Sequence, residues 1–210
     1  MRFIRTLALG ASALAFWACS GESGTMTGLQ PNQGQMVVKL TDAPFPTDSV
    51  QSVDVFVVRI DGRTQASTEA DASAAIDPTS SLAAGWVTVA EPNAKFNLLT
   101  LTGGTSATIG QAALTAGSYQ SLRLILDVSQ SSVTLKNGTT LTATSTPSIL
   151  FPSAGLTGIK IQLASPIAVA AGATTTVLVD FDVGNSFVLR GNTILQNGLL
   201  FTPVVRATVQ

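Results

Sequence analysis

Apolar and polar residues alternate with a period of two along most of the sequence that follows residue 34. The clearest segments are MVVKLT (36–41), SVDVFVVRI (52–60), WVTVA (86–90), KFNLLTLT (95–102), SYQSLRLILDVS (118–129), GIKIQLA (158–164), TTTVLVDFDV (174–183), SFVLR (186–190), NTILQ (192–196) and LLFTPVVRATV (199–209). This period places successive side chains on opposite faces of a β-strand. Because no long amphipathic helix interrupts these short strands, we predict an all-β domain over residues 35–210, a single antiparallel β-sandwich.

One predicted strand, SVDVFVVRI (52–60), is apolar on both faces. One face carries Val53, Val55 and Val57, and the other carries Phe56, Val58 and Ile60. Strands with two apolar faces are typical of the middle of a sheet that is covered on both sides. We therefore predict that this strand is central.

Turn signals separate the predicted strands. Asn137-Gly138 lies inside the alternating stretch 132–145 and predicts a type I′ hairpin, because both residues accept positive φ. Asn197-Gly198 is expected to reverse the chain before the last strand. Residues 61–85 lack alternation and are expected to form a long surface loop, and residues 146–157, with two prolines, an irregular crossover.

The first residues have the organisation of an export signal. Arg2 and Arg5 precede an uncharged apolar segment over 6–18, which is shorter than the roughly 20 residues of a membrane-spanning helix. Ala18 before Cys19, the only cysteine, resembles the lipobox of bacterial lipoproteins. That resemblance implies removal of a signal peptide over 1–18 and a lipid on Cys19. The alternative is an ordinary signal peptide with a chance cysteine.

Residues 19–34 are rich in Gly, Ser and Asn and are expected to form a flexible tether. Ser20 directly follows the cysteine, which resembles the signal that sends lipoproteins to the outer membrane of Gram-negative bacteria. We therefore expect an exported cell-envelope protein that is held at the outer membrane by the acyl chains of Cys19.

The absence of histidine limits the chemistry available to this chain. It excludes Ser-His-Asp and Cys-His catalysis and imidazole ligands for zinc. A single cysteine excludes a disulfide within the chain, so a buried core must stabilise the fold. With 11 basic and 12 acidic residues and no basic run, we expect no nucleic-acid partner.

Several segments together resemble the DUF4382 family of bacterial exported proteins. They are KLTDAP (39–44), LTAGSYQSLRLIL (114–126), GLTGIKI (155–161), VDFDVGNSFVLRGN (179–192) and LLFTPVVRA (199–207). The L-x-A-G-x-Y part also occurs in transthyretin-like and carboxypeptidase-regulatory-like sandwiches, and an Ig-like sandwich is the alternative. The resemblance supports the sandwich and the exported lipoprotein, and it implies no reaction.

Aspartates are the candidate calcium ligands. Asp180 and Asp182 are two apart and are expected to share one strand face, where their oxygens could bind Ca²⁺ with Asp42 or Asp54 as a further donor. In the competing interpretation, both carboxylates cap turns or pair with Arg123, Arg190 or Lys160. The same two carboxylates could also serve as the acid and base of a glycosidase.

Two aromatic residues have a structural and a functional interpretation. Tyr119, the only tyrosine, precedes a strong strand and is expected to form a tyrosine corner, although an exposed ring there could stack on a sugar. Trp86 begins an apolar run and is expected to fill the core, with a carbohydrate platform as the alternative.

These observations favour a non-enzymatic, lipid-anchored envelope protein that acts as a binding or structural module. The expected partners are the membrane, through the lipid, and a polysaccharide or an envelope protein. We expect no cofactor, with Ca²⁺ as the one candidate. The alternatives are a carboxylate-dependent extracytoplasmic hydrolase, or an accessory domain of one, and a calcium-dependent adhesion domain.

Overall fold

The structure, a computed structural model, describes residues 28–42, 48–64, 85–152 and 158–210. The strands are β1 (Gln33–Asp42), β2 (Val50–Thr64), β3 (Trp86–Ala90), β4 (Ala94–Asn97), β5 (Ala107–Thr115), β6 (Gly117–Leu126), β7 (Ser132–Leu135), β8 (Thr140–Leu141), β9 (Ile149–Leu150), β10 (Ile159–Val169), β11 (Thr174–Phe181), β12 (Phe187–Leu189), β13 (Leu199–Phe201) and β14 (Val205–Val209). Two single-turn helices, α1 (Val183–Ser186) and α2 (Ile194–Asn197), and a 3₁₀ turn (Leu98–Thr100) accompany them. Among the described residues, no helix has the length and apolar character needed to cross a membrane.

The strands form three sheets. A four-stranded sheet has the order β14-β11-β1-β5. A seven-stranded sheet has the order β10-β6-β2-β7-β8, and β3 and β4 also pair with β2. A third, small sheet has the order β12-β13-β9. The prediction that β2 is central is confirmed, since it pairs with β3, β4, β6 and β7.

One hydrophobic core joins the two large sheets. Met36, Val38 and Leu40 of β1 are fully buried, and Val55 and Val57 of β2 belong to the same buried cluster. The predicted all-β sandwich is therefore confirmed. It departs from a purely antiparallel sandwich at β1–β11 and at β9–β13, which are parallel. Parallel neighbours need a long crossover rather than a tight turn, and most of the chain separates β1 from β11.

A bulge in β2 changes which residues face the core. The register against β6 shifts between Val57 and Arg59, which adds one residue to β2 at that point. Ile60 therefore belongs to the core cluster with Val57, and the prediction that placed it on the other face is wrong. The same shift places Arg59 and Asp61 on the outer face of the seven-stranded sheet.

The β7–β8 hairpin is confirmed, but its turn is not type I′. Gly138 has a φ of 87° and Asn137 is not among the residues with positive φ. Gly138 N donates to Leu135 O at 2.9 Å, and Leu135 N donates to Thr139 O at 2.8 Å. This pattern is a three-residue loop in which glycine alone takes the left-handed conformation. The second strand of the hairpin, β8, has only two residues, Thr140 and Leu141.

Three other predictions of local structure need correction. Residues 192–196, predicted to be a strand, contain the helical turn α2, which ends at Gly198 with a φ of 73°. The strand predicted over 95–102 ends at Asn97, whose side chain accepts from Leu99 N and so begins the 3₁₀ turn. The strand predicted over 199–209 is divided into β13 and β14, and Pro203, which has no N–H to donate, lies between them.

The ends of the predicted loops also differ from expectation. β1 begins at Gln33, before the expected domain start at Gln35, and β2 continues to Thr64, into the predicted loop 61–85. Strand β5 was not predicted, because its residues ATIGQAALT alternate only weakly. Residues 65–84 lie outside the described residues, as do 1–27.

Candidate functional site

Asp42, the last residue of β1, accepts a backbone hydrogen bond rather than facing solvent. It is 4% exposed, and its Oδ1 accepts from Val183 N, the first residue of α1, at 3.0 Å. This contact ties the end of β1 to the segment that follows β11. Asp42 therefore has a structural partner in α1.

Asp182 lies just beyond the end of β11 and caps α1. Its Oδ1 accepts from Asn185 N at 3.0 Å, and its Oδ2 accepts from Asn185 Nδ2 at 2.7 Å. Because β11 ends at Phe181, Asp182 is not on the strand face that the sequence analysis assigned to it. The interpretation in which this carboxylate caps a turn is confirmed.

Asp180 is in β11, opposite Arg206 of β14. Burial raises the pKa of Asp180 above its ordinary value of 3.8, the charge of Asp182 raises it further, and Arg206 acts in the opposite direction. The cation that influences Asp180 is thus Arg206, which was not among the predicted partners. Asp54, the other possible donor, accepts from Ser52 Oγ at 2.8 Å on β2.

Across the part of the chain that the structure describes, no three His, Cys, Asp or Glu side chains come together as a group that could hold a metal ion. Asp42, Asp180 and Asp182 are near one another in the fold without forming such a group. Calcium binding by these residues stays a prediction. Cys19, the predicted lipidation site, lies outside the described residues.

Tyr119 and Trp86 are both buried. Tyr119 is 2% exposed within the core, and its hydroxyl donates to Thr115 O at 3.0 Å, which confirms the predicted tyrosine corner. Trp86 is 4% exposed, so its predicted burial is confirmed. It does not pack into the core, however, because its ring lies 4.1 Å from Cζ of Arg123 on the outer face of the seven-stranded sheet.

That outer face contains a group of buried charges, which we call the arginine cluster: Arg59, Asp61 and Arg63 of β2 with Arg123 of β6. Arg59 Nε donates to Asp61 Oδ1 at 2.8 Å, and Arg123 Nε donates to Asp61 Oδ2 at 2.9 Å. Asp61 is fully buried, Arg123 is 1% exposed, and Arg59 and Arg63 are each 6% exposed. Asp61 therefore holds two arginines from neighbouring strands, one on each oxygen.

The strand register explains how these residues meet. Asp61 is directly opposite Arg123 on β6 and Thr88 on β3. Directly opposite side chains on one sheet face are close enough to interact. Burial lowers the pKa of the Arg123 guanidinium, and the hydrogen bond and charge of Asp61 act against that shift. Within the described residues, Arg123 Nη1 is buried without a hydrogen-bond partner.

Sequence reasoning missed this cluster. The only local signal is that Arg59, Asp61 and Arg63 alternate at the end of a strand that is otherwise apolar. Their partner Arg123 is far away in the sequence, so no basic run appears. A charged residue repeated on one face of a central strand was the signal that could have indicated a buried polar site.

A second feature is a groove of about 520 Å³ between the β7–β8 hairpin and the segment that contains α2, which we call the aliphatic groove. Its apolar walls come from Leu135, Leu189, Ile194 and Leu195, and its polar lining from Ser49, Lys136, Asn137, Asn192 and Thr193. Leu189 and Ile194 also line an adjoining apolar cavity of about 120 Å³. The groove therefore leads to a small pocket that an aliphatic side chain could fill.

Two aliphatic side chains in the groove are exposed, Leu195 by 52% and Leu189 by 42%. Val188, which is 45% exposed, and Leu150 are on the opposite face of the small sheet, where both align with Leu200. The sheet beneath them is fixed to the core by Phe201, whose ring lies 4.9 Å from that of Phe187 and 6.1 Å from that of Phe181. The patch is thus presented on a packed support.

Comparison with known proteins identifies the family. The profile of a domain of unknown function, DUF4382, matches residues 33–197. The chain belongs to the DUF4382 family. The match covers the arginine cluster, the lining of the aliphatic groove and both large sheets except β14, so both candidate sites lie within the DUF4382 domain. None of the curated proteins matches this DUF4382 sequence.

Among solved structures, this DUF4382 chain is similar to a protein from Bacteroides fragilis described as a "putative cell adhesion protein". The identity is 10% and the TM-score 0.34. The match covers 85% of this chain and 45% of the other, so this chain spans less than half of that protein.

Proposed function

We propose that this DUF4382 protein is a non-enzymatic, lipid-anchored module of the cell envelope that binds a protein partner through the aliphatic groove. The observation that carries the proposal is the exposure of Leu189 and Leu195 in a groove that adjoins an apolar pocket. Exposed aliphatic residues that adjoin a pocket commonly mark a surface for a partner. Such pockets accept the anchor side chains that dominate protein interfaces.

The aromatic residues favour a protein over a polysaccharide. Within ranges 28–42, 48–64, 85–152 and 158–210, every Trp, Tyr and Phe is buried or partly buried. Carbohydrate platforms need an exposed ring, and the two rings considered for that role, Trp86 and Tyr119, are covered. The aliphatic walls of the groove suit Leu, Ile or Val side chains of a peptide segment instead.

The charge of the groove limits the partner further. Lys136 is the one charged residue in its lining, and it lies on the exposed hairpin turn. A positive rim beside an apolar pocket complements a segment with an aliphatic anchor and a neighbouring Asp or Glu. We therefore take the partner to be an envelope protein with such a segment.

The proposal is tested by chemical cross-linking in intact cells that produce tagged full-length protein. Leu195→Asp places a charge in the groove and should abolish one specific cross-linked product. Val209→Asp is the matched control, because Val209 is 49% exposed on β14, outside the groove. If both variants keep the product, or both lose it, the groove is not the binding site. A product that polysaccharide-degrading enzymes remove would replace the protein partner with a glycan.

The lipid anchor is a separate part of the proposal and has its own test. Metabolic labelling with a fatty-acid analogue should label the wild type and leave Cys19→Ser unlabelled. Cell fractionation should place the labelled protein in the outer membrane. Label that is retained in Cys19→Ser would refute the anchor without affecting the groove.

A carboxylate-dependent hydrolase is the second candidate. The observation in its favour is that Asp180, whose pKa is raised by burial, lies near Asp182, since a carboxyl with a raised pKa can act as a general acid beside a second carboxylate. Hydrolysis of a glycan panel that is lost in both Asp180→Asn and Asp182→Asn would establish it. Melting that depends on Ca²⁺ in the wild type and not in these variants would favour the adhesion domain.

A further inference from the structure

We propose that the arginine cluster is a binding site for a small oxyanion, a sulfate or carboxylate group held by the η nitrogens of Arg59 and Arg123. This site is separate from the aliphatic groove. It lies on the outer face of the seven-stranded sheet, whereas the groove is formed by the β7–β8 hairpin and the α2 segment.

Arg59 and Arg123 have unused hydrogen-bonding capacity. A guanidinium has five N–H donors, but Arg59 and Arg123 each donate only the Nε–H to Asp61. Arg123 Nη1 is buried without a partner among the described residues. A buried charged donor without an acceptor is costly, so an acceptor supplied by a ligand would stabilise this arrangement.

The two arginines that are paired with Asp61 carry one more charge than this carboxylate neutralises. Arg59 and Arg123 are both buried and share Asp61 as an ion-pair partner. Lys160, exposed on β10, is directly opposite Arg123 in the register and adds a further positive charge. Buried charges of one sign are unfavourable unless they are paired, and one bound anion would reduce this excess.

Neighbouring side chains hold the guanidinium groups of Arg123 and Arg63 in fixed orientations. The Trp86 ring lies over the Arg123 guanidinium at 4.1 Å and fixes its plane. Ser121 Oγ accepts from Arg63 Nε at 3.2 Å, which holds the neighbouring arginine in place. Planar guanidinium groups that are held in fixed orientations bind oxyanions through paired hydrogen bonds, which favours sulfate or carboxylate over a spherical ion such as chloride.

Trp86 also supplies the measurement. The chain has two tryptophans, Trp17 and Trp86, so Trp17→Phe leaves Trp86 as the only indole, in contact with the site. Full-length protein with this change is titrated with sodium sulfate, while sodium chloride keeps the ionic strength constant. We expect a saturable change in Trp86 fluorescence and a parallel rise in Tm.

Variants then separate specific binding from a general salt effect. Arg123→Lys keeps the charge but removes the planar guanidinium group, which can donate two parallel hydrogen bonds. It should weaken sulfate binding by about tenfold or more. Arg59→Lys serves as the second variant if Arg123→Lys does not fold, as judged by circular dichroism. Arg190→Gln, an exposed arginine after β12, is the control and should bind sulfate like the parent.

The proposal is overturned if the fluorescence changes linearly with sulfate, or if folded Arg123→Lys, or Arg59→Lys in its place, gives the same binding curve as the parent and Arg190→Gln. It is also overturned if chloride alone reproduces the whole signal. In each case the arginines would be satisfied within the chain, and the cluster would serve the fold only.

Discussion

The aliphatic groove and the arginine cluster are both outside the shared core, but they differ in exposure and in chemistry. Leu195 and Leu189 in the groove are largely exposed, whereas Asp61 and Arg123 are almost completely covered. Exposed aliphatic residues contribute little to folding, so a concentration of them is better explained by binding. Buried charges affect stability whether or not they bind a ligand.

This difference determines which experiments are informative. A substitution in the groove can change binding while the fold remains, so loss of the partner can be interpreted directly. A substitution in the arginine cluster changes the fold and any ligand site together. Stability measurements therefore separate the two regions, and the following predictions run from the largest expected effect to the smallest.

Asp61→Asn should give the largest loss of stability. It removes the one carboxylate between Arg59 and Arg123 and leaves two buried arginines without it, which costs about 3–5 kcal/mol. Denaturant unfolding measures the effect. Asp54→Asn on the same strand is the control, since its partner is the Ser52 hydroxyl and the expected change is about 1 kcal/mol. Equal effects in the two variants would contradict a special role for Asp61.

Asp42→Ala should have an intermediate effect. The substitution removes the acceptor of the Val183 N–H and leaves a buried donor unpaired, at a cost of about 1–3 kcal/mol. Asp42→Asn should cost less, because the amide oxygen can still accept this hydrogen bond. The measurement is the free energy of unfolding at neutral pH. Identical losses for the two variants would show that the charge, rather than the hydrogen bond, is what matters.

Asp180→Asn should raise stability slightly, by an amount that depends on pH. A folded-state pKa above the ordinary value of 3.8 means that folding favours the protonated carboxyl and is opposed when it ionises. The stabilising contribution is thus complete below that value and is lost as the pH rises through the folded pKa. Asn imitates the protonated form, so Tm near neutral pH should rise by on the order of 1 °C. The gain should disappear in acid, and a gain that persists there would contradict the assignment.

Leu195→Asp should change stability least, within about 0.5 kcal/mol, because the side chain is 52% exposed. Thermal melting beside the Val209→Asp control measures this. A loss of several kcal/mol would mean that Leu195 belongs to the packed structure, and the groove would then resemble the arginine cluster in its role.

Alternation along the chain predicted the strands well where each pairs over its whole length. WVTVA (86–90) is strand β3 with the predicted bounds, although its burial does not alternate strictly, because its register against β2 shifts between Ile60 and Asp61. The face of Ile60 was not predictable, because a bulge of one residue depends on pairing with β6 and leaves no local signal. Ile194 was assigned to a strand because NTILQ (192–196) was read as continuing the alternation, although Asn197 and Gly198 close a helical turn there.

The candidate sites were less predictable than the strands. Asp180 and Asp182 were noticed because they are two residues apart in sequence. Asp180 is influenced by Arg206, which only the fold brings near, whereas Asp182 caps α1 through Asn185, three residues further on. The arginine cluster combines β2 and β6, and the groove combines a hairpin with α2, so neither has a continuous motif. What distinguishes them is unused hydrogen-bonding capacity and exposure, which only the packed structure reveals.

The most direct test of the proposed function is site-specific photocross-linking in living cells. A photoreactive amino acid is placed at position 195 in the groove and, in a second protein, at position 209 on β14. The proposal predicts one discrete protein adduct from position 195 and none from position 209. Adducts of the same size from both positions, or no adduct from position 195, would contradict a partner in the aliphatic groove.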